Sequence, residues 1–332
     1  MPYLADHFHA LQPSERLNPH NIGLKNNFRG LFLLSYSSLI CFKIDHSIRW
    51  ELTNTDIRDF CIDQENKLLF YSTRRTIYAV ALESGEELWS ANKDYTFDHA
   101  PITCSPKNKL IFCSQTSGSY QYIYIYNYSG ERVSSKYLST NKIKYLDRAD
   151  RLLFTDTYGV KTSDKELLNT ASIETVSGNG FHPSTAGKKN NEVYVYSGSG
   201  RLKVGNPMVP VDLKQVSNAY LYSGSPTDTV EEDFIYYSDI NGDYQFIVKI
   251  DLTTGLQVYR KQIRAGEYGS IGQSVTQDAS HLYQIGDTRR TENAILVIDK
   301  ANGNIVDRIV NPGSPGGTTA GLKVLHTYDS LT

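Results

Sequence analysis

Residues 57–90 read IRDFCIDQENKLLFYSTRRTIYAVALESGEELWS. Four short runs rich in β-branched, aromatic and aliphatic residues stand here, IRDFCID, KLLF, TIYAVAL and ELWS, with polar turns between them. Runs of this length, bounded by Asn, Arg, Ser and Gly, read as strands, and turns this tight can join only antiparallel neighbours. The stretch therefore predicts one four-stranded antiparallel sheet.

The second run recurs along the chain. It appears as GLFL at Gly30, KLLF at Lys67, KLIF at Lys109, RLLF at Arg151, EVYV at Glu192, DFIY at Asp233 and HLYQ at His281, with a spacing near 41 residues. After each copy comes another β-rich run: SLICFKID (38–45), TIYAVAL (76–82), YIYIYNY (122–128), GVKTS (159–163), RLKV (201–204), FIVKIDL (246–252) and AILVID (294–299). The Gly-bearing turns ESGEELWS, YSGERVSS, LTTGLQVY and KANGNIVD then lead into a further run, and apolar segments such as APITCS (100–105) and KIKYLD (142–147) precede most copies. No segment keeps a helical period; DKELLNTASIE (164–174) fits the strand register better.

A repeat of this length builds units that cannot bury their apolar faces alone. The predicted fold is all-β: a seven-bladed β-propeller of four-stranded antiparallel blades. Only IGLKNNF (22–28) precedes the first copy, whereas GLKVLHTY (321–328) follows the Pro/Gly-rich NPGSPGGTTA after the last. That final run is expected to complete the first blade and close the ring, removing exposed sheet edges. The domain reading is thus an N-terminal arm over residues 1–21 and one propeller over 22–332. The arm carries Tyr3, Leu4, Phe8, Leu11 and Leu17, which tilts it toward docking on a surface.

IYAVALESGEELWS (77–90) resembles the repeat of the PQQ-like, quinoprotein-type propellers, with weaker copies at 247–263 and 295–310 and a shortened one at 38–52. The related YVTN and WD-repeat-like propellers share such units. The resemblance implies the propeller fold; in the enzyme members it also implies pyrroloquinoline quinone held on calcium. This chain departs from those enzymes in having seven copies, only Trp50 and Trp89, and no adjacent cysteines. The expectation is a non-enzymatic member with no cofactor.

Charge and composition narrow the partners. A formal net charge of −2 argues against a dedicated nucleic-acid binder. No run is apolar and long enough to insert in a membrane, and the polar N-terminus with its three prolines does not read as a signal peptide. A cytoplasmic location, or assembly into a particle such as a virion, is the expectation. Cys41, Cys61, Cys104 and Cys113 sit in apolar runs and read as small buried hydrophobes; Cys104 and Cys113 are expected on adjacent strands.

No P-loop, nucleophile elbow or dinucleotide-binding glycine pattern is present. Asp239, Asn241 and Asp243 resemble the start of a calcium loop, but no Glu follows at the bidentate position, and an Asn-Gly hairpin turn is the simpler reading. His7 and His9 fall in the arm; His99, His182 and His281 share no partner by spacing. Four stretches read as longer loops on one face: NKDYTFD (92–98), QTSGSYQ (115–121), IRAGEYGS (263–270) and GDTRRTEN (286–293). They carry Tyr95, Tyr120, Tyr268, Arg289 and Arg290, and Tyr122 directly follows the second of them, residue types that favour binding surfaces. The function expected is a non-catalytic interaction platform with protein partners, one part of a larger assembly such as a phage tail or injection device. The alternatives are a glycan-binding propeller, with tyrosines stacked on sugar rings, and a hydrolase or lyase with a site at the channel mouth.

Overall fold

The computed structural model describes residues 31–327 apart from 94–100, 176–182, 186–192, 197–200, 206–213, 221–233, 265–274, 286–293, 311–323 and several turns of one to three residues. Within it the chain forms seven antiparallel sheets. The first takes β1 (Leu31–Leu34), β2 (Ser38–Phe42) and β3 (Ile48–Thr53), and the second β4 (Asp59–Asp63), β5 (Leu68–Ser72), β6 (Thr76–Ala81) and β7 (Glu87–Asn92). The third takes β8 (Ile102–Ser105), β9 (Leu110–Ser117), β10 (Tyr120–Asn127) and β11 (Arg132–Tyr137). The fourth takes β12 (Lys142–Leu146), β13 (Arg151–Asp156), β14 (Gly159–Ser163) and β15 (Thr170–Thr175). In the fifth are β16 (Pro183–Thr185), β17 (Val193–Tyr196), β18 (Arg201–Gly205) and β19 (Lys214–Tyr220). The sixth has β20 (Phe234–Asn241), β21 (Tyr244–Asp251) and β22 (Gln257–Arg264) among the described residues, one strand fewer than the repeat predicts, and the stretch before it lies outside them. The seventh takes β23 (Val275–Gln277), β24 (His281–Ile285), β25 (Ala294–Asp299) and β26 (Ile305–Val310). The last strand, β27 (Val324–Thr327), does not join it; it pairs antiparallel with β1, Leu31 opposite Thr327 and Leu34 opposite Val324.

This is a β-propeller in its strand order, each sheet an up-and-down meander. The middle strands explain the apolar copies in the sequence. A blade is covered on both faces, so its central strands bury every side chain and lose the polar alternation of a half-exposed sheet. Leu69, Phe70, Tyr71 and Ser72 of β5 are all buried, as are residues 38–42 of β2. Outer strands keep a wet face: β7 and β11 are mostly exposed.

Alternate side chains of one strand serve two different interfaces, as the period of two requires. Leu69 packs with Leu39, Cys41 and Trp50 of the first sheet, while its neighbour Phe70 packs with Ile102, Ile111 and Cys113 of the third. Phe112, Ile123 and Ile125 meet Ile143, Leu152 and Phe154 of the fourth. Tyr236 and Ile247 meet Val275, Leu282 and Ile298 across the sixth and seventh sheets. Leu31, Ile40 and Phe42 of the first sheet pack on Ile295, Val297 and Ile309 of the seventh. Each such aliphatic side chain contributes roughly 1.5–3 kcal/mol by leaving water.

A second set of contacts ties three outer strands, β3, β7 and β22, to the next sheet's last turn. The Trp50 indole N–H donates to the Leu82 carbonyl at 3.0 Å, and Trp89 donates to that of Tyr128 at 2.8 Å. Both rings lie flat on glycines at positive φ, Gly85 and Gly130, where an added Cβ would come within 2.8 Å of the indole. Glycine is needed there twice over, for the backbone and for the space. Tyr259 repeats the contact on Gly303, its hydroxyl donating to the Lys300 carbonyl at 3.2 Å. The two tryptophans, too few for the docking repeats of the quinoprotein enzymes, are thus used as inter-sheet docks, and a tyrosine serves in a third place.

Candidate functional site

Among the described residues, the turns that precede the second strand of the second, third and seventh sheets are built alike. Asp63 is fully buried, and its carboxylate accepts from the Asn66 backbone N–H at 2.9 Å, the Asn66 amide at 2.6 Å and the Tyr128 hydroxyl at 2.6 Å. Burial, the neighbouring Cys104 thiol and the Asp63 charge all raise the Tyr128 phenol, so it stays a donor. One sheet further on, Ser105 holds the Asn108 backbone at 3.2 Å, and the Asn108 amide reaches Tyr145 at 3.0 Å and Asp150 at 2.7 Å. Lys109 donates to Asn66, and Lys165 donates to Asn108 at 3.3 Å, so neighbouring turns are stitched together. Hydrogen bonds from Asn108 and Tyr145 hold the Asp150 carboxyl below its usual range.

In the seventh sheet Asp278 takes this place. It accepts from the backbone N–H groups of Ser280 and His281 at 2.8 and 2.7 Å and from the Tyr283 hydroxyl at 2.7 Å. Burial would raise its carboxyl, but hydrogen bonds from His281, Tyr283 and Ser280 outweigh burial and lower it. The His281 imidazole, 3.7 Å away, is raised in turn, chiefly by its hydrogen bond to Asp278. His281 thus has a local partner that its spacing to other histidines did not reveal.

At the opposite ends of the strands, Asp56 is shared by two guanidinium groups, Arg58 at 3.0 Å and Arg74 at 3.2 Å. Lys93 is buried there and donates to the Thr73 carbonyl at 2.8 Å. Lys300, also buried, donates to the Asp278 carbonyl at 2.9 Å, beneath the ring of Tyr236. The buried charges among the described residues, Asp63, Lys93 and Lys300, each fix a turn.

The sequence-derived candidates fare unevenly. QTSGSYQ is not a loop: Ser117 pairs with Tyr120, leaving residues 118–119 as the connection, and the flanking residues run on as the paired strands β9 and β10. The cause is the period-two pattern of both strands, which the polar residues of this stretch mask. Tyr120 lies opposite Ser117 at the end of β10. Tyr122 is half-buried against the core between the second and third sheets, edge-on to the ring of Tyr137 at 5.4 Å and 5.9 Å from that of Tyr124. Tyr95, Tyr268, Arg289 and Arg290 lie outside the described residues. Asp239 and Asn241 fall in β20, opposite Phe246 and Tyr244, and Asp243 lies in the connection beyond Asn241, outside the described residues.

All four cysteines are free thiols. Cys104 and Cys113 are on paired strands, each two residues from the other's partner, and Cys104 instead faces Cys61 on the neighbouring sheet. Burial pushes the Cys41 thiol up to about 12, against the pull of Arg49, and raises Cys61 and Cys113 as well. Thiols so placed behave as packing groups. Among the described residues no three His, Cys, Asp or Glu side chains converge as a metal requires. No helix is long and apolar enough to cross a membrane among the described residues.

No protein-family profile matches this chain, and no curated protein matches it either. Solved structures do. It is similar to BamB from Moraxella catarrhalis at 17% identity, over 87% of this chain and 86% of that one, with a TM-score of 0.56. A chain of the nidogen/laminin complex aligns at 14% identity over 92% of this chain and all of that one, with a TM-score of 0.51. The dihydro-heme d1 dehydrogenase NirN, in complex with DHE, aligns at 10% identity over 88% of this chain and 65% of that one, with a TM-score of 0.58. In all, 984 solved chains match, so the likeness shows the fold, a β-propeller, and does not select an activity.

Proposed function

We propose that this chain is a non-catalytic interaction platform, a rigid propeller that presents its rim and turns to protein partners within a larger assembly. The carrying observation is how its polar groups are spent. The buried charges of the described residues hold turns in place, whereas large apolar side chains stand exposed at matching places on the outer strands: Leu88, Val133, Val258 and Val306, each the second residue of its strand. Apolar residues repeated around a rigid rim suit contact with another protein. Two fold neighbours, BamB and the nidogen/laminin chain, support the reading, the second by being solved in a complex. The setting we favour is a structural or adhesion part of a particle such as a phage tail or injection device, reached from the cytoplasm by assembly.

Co-purification of the full chain from its native lysate tests this. A stable partner should be recovered, and lost when Leu88, Val133, Val258 and Val306 are all changed to Asp in a variant that keeps its melting temperature. A lone monomer that recovers nothing would refute the platform.

A second reading, glycan binding, draws on the end of β10 and β11. There Tyr137, 57% exposed, stands edge-on to Tyr122, while Arg132, at the other end of β11, lies 5.8 Å from the Tyr124 ring. Saturable binding on a glycan array that Tyr137→Ala abolishes would put this reading first. Tyr137 is the better probe than Tyr122, whose loss would disturb the core.

A further inference from the structure

The connections between second and third strands differ sharply in charge. In five of the seven sheets, over residues 35–37, 118–119, 157–158, 197–200 and 242–243, they hold neither lysine nor arginine. The second and seventh sheets depart from this with one shared tetrapeptide. Thr-Arg-Arg-Thr spans 73–76, where β5 passes into β6, and again 288–291, between β24 and β25. Both sheets pack on the first. The turn of the second sheet lies within the described residues, and its geometry can be followed bond by bond.

That turn is pinned from every side. Thr73 Oγ1 accepts from the backbone N–H groups of Arg75 and Thr76 at 3.3 and 3.0 Å. Asp56 accepts from the Arg74 backbone N–H at 3.0 Å, from Arg74 Nε at 3.2 Å and from Arg58 Nη2 at 3.0 Å. Lys93 closes the far side, its backbone N–H donating to the Arg75 carbonyl at 2.7 Å and its ammonium to the Thr73 carbonyl at 2.8 Å. Four cationic residues thus stand at one turn, and Asp56 binds two of them. The buried Arg58 Nε–H makes no hydrogen bond among the described residues. Arg75 is exposed, and its guanidinium takes part in none of these bonds.

We propose that this turn is a carboxylate-recognition site whose ligand is an acidic segment of a protein partner. That the partner is a protein rests on the platform reading; the carboxylate chemistry does not. A guanidinium presents five N–H donors in a fixed fork that matches a carboxylate through two at once, and Asp56 shows that pairing within the chain. Exposed ion pairs are usually weak because two long side chains must be ordered to make them. Here the backbone of both arginines and one edge of Arg74 are already held, so less ordering remains for the ligand to impose. Nucleic acid fits less well, since it needs a basic face that meets many phosphates, and these cations are gathered at one turn of a chain with net charge −2. The exposed apolar residues of the rim, such as Leu88 at the start of β7, lie at the opposite ends of the strands. The two surfaces can therefore be engaged separately.

Fluorescence anisotropy with a labelled hexaglutamate peptide, on the full chain at low ionic strength, tests the site. Saturable binding is expected, and Arg74→Gln with Arg75→Gln should weaken it at least about tenfold. Arg75→Gln alone breaks no bond that shapes the turn, so it should keep the wild-type melting temperature and still weaken binding about threefold. Replacing both arginines with lysine keeps the charge but loses the fork, and should also cost at least about threefold. Absence of binding, or binding that the glutamine variants retain, would overturn the proposal. So would a lysine variant that binds as tightly as the wild type, which would reduce the site to unspecific charge. An oligothymidylate bound as tightly through the same arginines would assign the turn to phosphates and refute it too. None of these outcomes depends on recovering a native partner, so failure of the site and failure of the platform are read in separate experiments.

Discussion

At the scale of single residues, the tightest constraints are pairs of a ring and the space left for it. Trp89 and Gly130 illustrate both halves: the ring needs a turn without a Cβ, and the turn needs the ring to cover its carbonyl. Trp89→Ala should cost about 3 kcal/mol in denaturant unfolding, and Gly130→Ala should cost a comparable amount through its φ of +83° and the collision with the indole. Because the two share one contact, the double variant should cost clearly less than the two changes added together. Additive costs would show that ring and turn do not meet in solution. Asp63 is a second such residue. Asp63→Ala removes the acceptor for the Asn66 backbone, the Asn66 amide and the Tyr128 hydroxyl together, and should lower stability by about 3 kcal/mol. Of these pairings the sequence shows little. Tyr128 reaches Asp63 across 65 positions and Trp89 reaches the Tyr128 carbonyl across 39, and spacing within one repeat carries no trace of either.

Single elements were more legible. The KLLF-type copies announce second strands because those strands are buried on both faces and can hold little else. The Gly-bearing turns announce the hairpins for the same kind of local reason, since glycine at positive φ is a property of the turn itself. QTSGSYQ misleads because its residues are polar yet paired, and the hydrogen-bond ladder asks nothing of side-chain polarity. The turn before β24 has a testable electrostatic character. The raised His281 means that protonation stabilises the fold fully below the ordinary histidine value near 6.5, and that this contribution fades as pH climbs through the raised value. The lowered Asp278 acts at the other end: its contribution is present above the ordinary aspartate value near 3.9 and vanishes as acid passes the lowered one. Melting temperature should therefore fall from pH 5.5 to pH 8.5 by more in the wild type than in His281→Gln. Parallel profiles would mean that the pair is not formed.

For the whole molecule, the four-stranded order that the repeat predicts is found in six of the seven sheets, the sixth showing three strands among the described residues, and β27 pairs with β1. The binding face was not legible to the same degree, because in a propeller it is assembled from turns of different sheets that no short window contains. Removing residues 324–332 should expose the β1 edge and the Leu31, Ile40 and Phe42 surface. We expect loss of the cooperative unfolding transition and aggregation, seen by calorimetry and light scattering; a truncated chain that melts as sharply as the full one would show that β27 is dispensable. The aromatic docks also bear on how the protein is made. Each one points forward, from an outer strand to a turn 32 to 41 residues further along. On the ribosome a finished blade therefore stays uncapped until its successor emerges, and β1 has no partner on the flank away from β2 until residue 324 has been synthesised, a wait of roughly tens of seconds at ordinary rates of translation. Throughout that interval the nascent chain carries a bare strand edge, which makes it a natural client for a holding chaperone.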